Sequence, residues 1–246
     1  MTHSCLNCNQ PLLDKYCHNC GQKSSTHRYS LKHFIEHDII HGIWHVDKGL
    51  FFTIKELFVR PGHSVREYIQ GKRVRFFNFV SLIILVVAVG GFLAHYSHIK
   101  LSELMPRDSE KLTNSMEKFA TDYPKIVVIL TIPIYAFGSF MWFRKSKLNF
   151  TEHLVLNSYK SAAELIIGTL FTILTIFYTD LKVLAYLYWV VIVIGSFIYP
   201  TIFYYQFFSK YDYSKSALLS KAIMIPVSYL VFTSIIVGIV KICGGL

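Results

Sequence analysis

Charge is in short supply in this sequence. Asp, Glu, Lys and Arg make up 16% of its 246 residues, against roughly 25% in an ordinary soluble domain. Acids are the scarcer sign, 15 against 25 Lys and Arg, and residues 77–96 contain none of the four types. A chain that is 53% hydrophobic with 20 Phe and 16 Tyr is neither disordered nor collagenous, and its composition argues against a soluble enzyme. Cysteine is rare outside one place: Cys5, Cys8, Cys17 and Cys20 crowd the first twenty residues and Cys243 stands alone at the far end. That distribution excludes a secreted disulfide framework. The chain opens on polar residues, with no apolar stretch of the signal-peptide kind, so the N-terminus is expected to stay uncleaved. Nucleophile elbow, phosphate loop, zinc-protease helix and paired carboxylates are all missing from the sequence.

Long apolar runs are what the sequence has instead. A hydrocarbon core about 30 Å thick needs roughly 20 apolar residues as helix. Five stretches qualify: 77–96, 125–143, 161–178, 183–207 and 222–240. The expected fold is therefore an all-α integral membrane protein with five transmembrane helices. Residues 1–76, 144–160 and 208–221 hold 11, 4 and 3 Lys and Arg, 18 of the 25, and cytoplasmic loops carry that excess. The expectation is a multi-pass protein of the cell (inner, cytoplasmic) membrane, N-terminus cytoplasmic and C-terminus outside. Pro133, Pro200 and Pro226 fall inside spans, where each removes a backbone donor and kinks its helix. In the 97–123 loop, Leu112, Met116 and Phe119 share one helical face.

Three parts follow along the chain: a zinc ribbon at 1–27, basic juxtamembrane helices at 28–76 and the bundle at 77–246. Cys5-x-x-Cys8 and Cys17-x-x-Cys20 are two pairs eight residues apart. Each pair can hold one ion only if the backbone folds back after its second cysteine, which favours residues tolerating positive φ, and Asn9 and Gly21 stand there. Four thiolates make a closed tetrahedral site with no open position, a structural zinc ion and not a catalyst. A doubled redox pair and disulfides are the alternatives, disfavoured by context and compartment. In the collar, Thr53-x-x-Glu56 and Ser64-x-x-Glu67 match capping boxes, Ser30 caps a helix over Leu31 to Trp44, and Arg60-Pro61-Gly62 terminates a helix. Such basic, aromatic helices lie in the membrane interface, and Lys72, Arg73 and Arg75 would meet anionic lipid headgroups. Nucleic acid is the other partner such a footprint suggests, and it is the weaker reading because bases beside a span are what topology demands.

Two further sets of polar residues call for a role. His33, His37, His41 and His45 recur every fourth residue. They make a polar helix face, a second metal site or a pH-sensing cluster. Glu164 is an ionisable residue inside a span, a functional candidate by default. Lys160 precedes it by four residues, as in an ion pair snorkelling to the cytoplasmic interface, and Glu152 and His153, with Asn157 and Tyr159, would join Glu164 in a polar pocket facing the cytoplasm.

The ordered motifs resemble those of a known family. They are the paired CxxC, Tyr16-Cys17-His18-Asn19-Cys20-Gly21-Gln22-Lys23, Arg60-Pro61-Gly62, Arg66-Glu67-Tyr68-Ile69-Gln70-Gly71-Lys72-Arg73 and Glu152-His153-Leu154-Val155. The likeness is to an uncharacterised bacterial integral-membrane family, a domain of unknown function with an N-terminal zinc ribbon. It covers most of the chain and departs at Asn9, often Gly in the family, and after His153, where the family often has further histidines. It implies zinc and membrane and no activity. The functional expectation is a transporter, a channel or the scaffold of a membrane complex, with a homo-oligomer or a cytoplasmic protein as partner. A lipid-modifying enzyme using Glu152, His153 and Glu164, and a metal or pH sensor, are the alternatives.

Overall fold

The computed structural model describes residues 4–30, 49–104 and 124–242. The four spaced histidines, the helix capped by Ser30 and the face of Leu112, Met116 and Phe119 lie outside the described residues, as does Cys243. Among the described residues the chain is helical after the cysteine head, with no strand and only the bridges Ser4–Pro11 and Tyr16–Lys23. The helices are α1 (Gly49–Val59), α2 (Pro61–Ile69), α3 (Phe79–Ala94), α4 (Pro124–Trp142), α5 (Phe150–Phe177), α6 (Leu181–Leu187), α7 (Gly195–Phe208) and α8 (Lys215–Ile242), with a π-helical segment, Tyr188–Ile194, joining α6 to α7.

Three continuous helical stretches are long and apolar enough to cross a membrane: Phe150–Phe177, Leu181–Phe208 and Lys215–Ile235. Two more apolar helices, Phe79–Ala94 and Leu130–Trp142, are shorter. The chain is thus consistent with a membrane protein. α3 begins where Asn78 accepts hydrogen bonds from the backbone N–H groups of Val80 and Ser81, which trims the expected 77–96 run to 16 residues. The larger departure is α5, which starts at Phe150 and not at 161. Asn149 and Glu152 form a capping box there, each side chain accepting from the other's backbone N–H. The polar stretch that follows, Glu152 to Ser161, is helical and buried against protein.

The expected capping boxes of the collar are not formed. Thr53 sits inside α1, buried, with its Oγ1 accepting from the Phe77 N–H at 2.7 Å. Ser64 sits inside α2 and donates to the Pro61 carbonyl. The chain does break at Arg60-Pro61, because a proline fits the first turn of a helix, where its missing N–H costs nothing. α1 and α2 bury Leu57, Val65, Tyr68 and Ile69 in the same core as Phe79, Leu82, Val155, Tyr159, Phe203 and Phe207. They are wedged into one end of the bundle. Gly62 explains how closely: a Cβ there would stand 2.1 Å from the Phe203 carbonyl oxygen and 2.3 Å from the Phe207 nitrogen of α7. Arg66, buried, reaches past it to donate to the carbonyls of Gln206 and Phe207 at 2.7 and 2.8 Å. A cation on the orphan carbonyls of a helix C-terminus satisfies them and meets the negative end of the dipole. Lys221 does the same for α4, donating to the Trp142 carbonyl at 2.9 Å.

The cysteine cluster and a mid-bundle cavity

The head is two copies of one turn. Cys5 N–H donates to Gln10 O and Asn9 N–H to Cys5 O; Cys17 N–H donates to Gln22 O and Gly21 N–H to Cys17 O, all at 2.8 Å. Asn9 and Gly21 carry φ of 60° and 75°, the left-handed geometry the fold-back requires. The four Sγ atoms lie within 4.8 Å of one another, with Cys5–Cys20 at 3.6 Å and Cys8–Cys17 at 3.5 Å. Four sulfurs each 2.3 Å from a shared ion stand about 3.8 Å apart, so the cluster has the size and donor set of a metal site. Backbone N–H donation at Gln10 leads in drawing the Cys8 thiol down to about 6, whereas burial leads in raising Cys20 to about 11.

This head is fastened to the rest of the chain. Leu6 lies against Gly71, whose φ is 109° and whose Cβ, if present, would come 2.7 Å from Leu6 Cδ1. Arg73 donates to the His27 carbonyl, its backbone N–H reaches Gln22 Oε1, and its guanidinium covers the Tyr29 ring at 3.9 Å. Arg28 forms a two-pronged pair with Glu152 at 2.6 and 2.7 Å and also donates to the Lys147 carbonyl; the Glu152 side chain is 3% exposed. The carboxylate's hydrogen bond is the leading cause that raises Arg28 above its ordinary value. Of the three expected headgroup ligands, then, Arg73 is engaged with protein and Arg75 lies over the Phe52 ring at 4.5 Å. Lys72 is exposed.

Glu152, His153 and Glu164 do not share a pocket. Glu152 belongs to the Arg28 pair. His153, wholly buried, is bonded through Nδ1 to Ser139 Oγ at 2.8 Å, and Asn157 joins them by donating to Ser139 and accepting from the Tyr204 hydroxyl. This network ties α4, α5 and α7 together. Tyr159 is spent on the Phe77 carbonyl. Twelve helical residues separate Glu152 from Glu164, about 18 Å of rise.

Glu164 is the fifteenth of the 28 residues of α5, the middle of the helix and not one turn inside its end. Its partner does not snorkel. Lys160 has no exposed surface, holds Glu164 Oε2 at 2.8 Å and places Nζ 3.0 Å from the centre of the Tyr135 ring. Glu164 Oε1, buried, has no hydrogen-bond partner among the described residues. Beside it opens a cavity of about 230 Å³ lined by Thr131 and Tyr135 of α4, Glu164 and Ile167 of α5, Val191 and Ile192 of the π segment, Gly195, Ser196 and Phe197 of α7, and Pro226, Tyr229 and Leu230 of α8. Tyr135 and Tyr229 stack at 4.2 Å. The space would hold about seven waters. π-helical turns inside α-helices recur at functional sites because they shift the register of the ladder, and here the turn forms one wall. Sequence reasoning found Glu164 and Lys160 but not Tyr135, Tyr229, Thr131 or Ser196. A hydroxyl in a span carries no mark of what it faces.

Among known proteins, no curated entry and no solved structure matches this chain. One family, described as a protein of unknown function (DUF3667), matches residues 47–89. That stretch comprises α1, α2, the Gly71 turn and the first part of α3, so the likeness falls on the segment that wedges into the bundle and receives the cysteine head.

Proposed function

We propose that the chain is a five-span protein of the cytoplasmic membrane whose bundle forms a passage for small solutes, as transporter or channel, with the docked head a structural zinc ribbon on the cytoplasmic side. The observation that carries the passage is Glu164: a carboxylate at mid-helix, ion-paired to a wholly buried Lys160, with one oxygen that no described residue claims, beside a cavity. Ionisable groups at that depth are costly and mark pathways. α3 and α4 supply the two spans beyond the three long ones, and four thiolates with no carboxylate or open position suit zinc. The dispersal of Glu152, His153 and Glu164 leaves the enzyme reading without an acid–base pair.

The test uses the full chain in proteoliposomes under a potassium diffusion potential, with an entrapped pH dye and labelled tetramethylammonium or sodium as probes. Wild type is expected to pass one of them and Glu164→Gln to fall to the level of empty vesicles. Equal flux through both proteins, or none through wild type, overturns the passage. Elemental analysis of the same preparation is expected to give one zinc per chain, lost in Cys8→Ser.

A further inference from the structure

We propose that the Glu164 cavity binds a small organic monocation in exchange for the proton of Lys160. The inference rests on the passage reading of this site and names its ligand and its coupling. Glu164 stands in the cavity wall and Lys160, outside the lining and wholly buried, is paired to it, so the charges of the site balance when it is empty. A second cation drawn to Glu164 would leave the wholly buried Lys160 ammonium without a full counter-charge, and uncompensated buried charge is strongly destabilising. The exchange restores balance. The cation settles beside the carboxylate, one N–H bond of Lys160 breaks with its electron pair left on Nζ, and the proton goes to water. The site then holds a carboxylate, a bound cation and, behind the carboxylate, a neutral amine, again of zero net charge.

Lys160 is the group free to give the proton. Besides it, the titratable side chains that face Glu164 among the described residues are tyrosines: Tyr135 from α4, Tyr199 and Tyr204 from α7, and Tyr229 from α8. Among the described residues no second carboxylate faces the pair to keep Lys160 charged once Glu164 is shared.

The chemistry of the wall selects the class of ligand. Hard metal ions ask for six or more oxygens in a close shell. Here aliphatic side chains, Ile167, Val191, Ile192 and Leu230, make up much of the surface. Carboxylate, aromatic face and hydrocarbon together recognise an organic ammonium. The molecule shows the pairing on itself: the Lys160 ammonium lies between Glu164 and the Tyr135 ring.

Tetramethylammonium is the probe of choice because it has no proton of its own to release. Added to the detergent-solubilised full chain in weak buffer, it is expected to liberate one proton per cation bound, read by a pH dye beside a radioligand count, while sodium liberates little. Lys160→Met, which removes the buried cation without stranding it, is expected to bind tetramethylammonium with no proton released. Binding to wild type without proton release, release that survives Lys160→Met, or no binding at all overturns the exchange; sodium acting as strongly overturns the organic class. The two readings separate cleanly. Vesicle flux without proton release defeats the exchange and leaves the passage, whereas proton release without flux leaves the site and defeats the passage.

Discussion

Individual residues carry more of this structure than their motifs suggest. Arg60-Pro61-Gly62 reads in sequence as a helix terminator, and the proline does start α2. The glycine has a different task. With no Cβ, it lets α2 approach the backbone of α7 so closely that Arg66 reaches the carbonyls at the end of that helix. Gly62→Ala would drive a methyl into backbone atoms that cannot rotate away, and overpacking of this kind costs about 3 kcal/mol. The same substitution at Gly91 of α3, where an added Cβ meets nothing within 4 Å, should be neutral or stabilise by about 0.5 kcal/mol through helix propensity. Urea unfolding of both variants in detergent compares them. Equal stabilities would mean that the helices separate without loss and that the close crossing does not hold the collar in place.

Elements show where sequence reasoning succeeds and where it stops. The cysteine turns were legible because the rule is local: thiol spacing and a residue tolerant of positive φ decide the fold-back, and Asn9 and Gly21 take it. The body of α3 and the ends of α4 fall within a few residues of expectation because apolar runs ended at polar flanks. α5 was misread by eleven residues, since Glu152, His153, Asn157 and Lys160 look like residues in water. They are paired instead with Arg28, Ser139, Tyr204 and Glu164 from across the fold or along the helix, and no local rule predicts that. The cavity was illegible for the same reason, needing walls from five elements. Yet Asn149-x-x-Glu152 was present as a start signal, and it is testable. Asn149→Ala removes the cap and the hydrogen bond to the Tyr29 carbonyl, and should cost about 1–2 kcal/mol. Hydrogen exchange is expected to show the Glu152 amide losing protection, with Asn149→Asp recovering it. An unchanged Glu152 amide in the alanine variant would place the start of the helix elsewhere.

At the scale of the molecule, contacts sort the connections into two ends. Arg28 reaches Lys147 and Glu152, and Arg66 reaches Gln206, Phe207 and Ser209, so the cysteine head, the 143–149 turn and the 209–214 turn gather at one end. Ser97 meets Thr175, and Leu101–Leu104 packs on α6, which gathers the opposite connections at the other. Charge agrees with this sorting, since the segments 144–160 and 208–221 at the head's end are rich in Lys and Arg and cytoplasmic loops are basic. The difficulty is α3. Its 16 residues make about 24 Å of helix, short of the roughly 30 Å of hydrocarbon. A short helix crosses if the bilayer thins or if flanking groups reach out to the headgroups, at a modest cost per ångström, and the buried collar beneath α3 gives its lower end protein in place of lipid. A crossing α3 puts His98 and the head on opposite faces of the membrane, and a helix that only dips puts them on the same face. Single cysteines at His98, Thr179, Lys145 and Lys210, all exposed, decide it in a chain whose Cys243 is replaced by serine. A maleimide that cannot enter cells is expected to label His98→Cys and Thr179→Cys in intact cells, and Lys145→Cys and Lys210→Cys only after permeabilisation. His98→Cys shielded together with Lys145→Cys would mean α3 turns back within the membrane; the helices after it would then need a new polarity, and Glu164 a different approach from solvent.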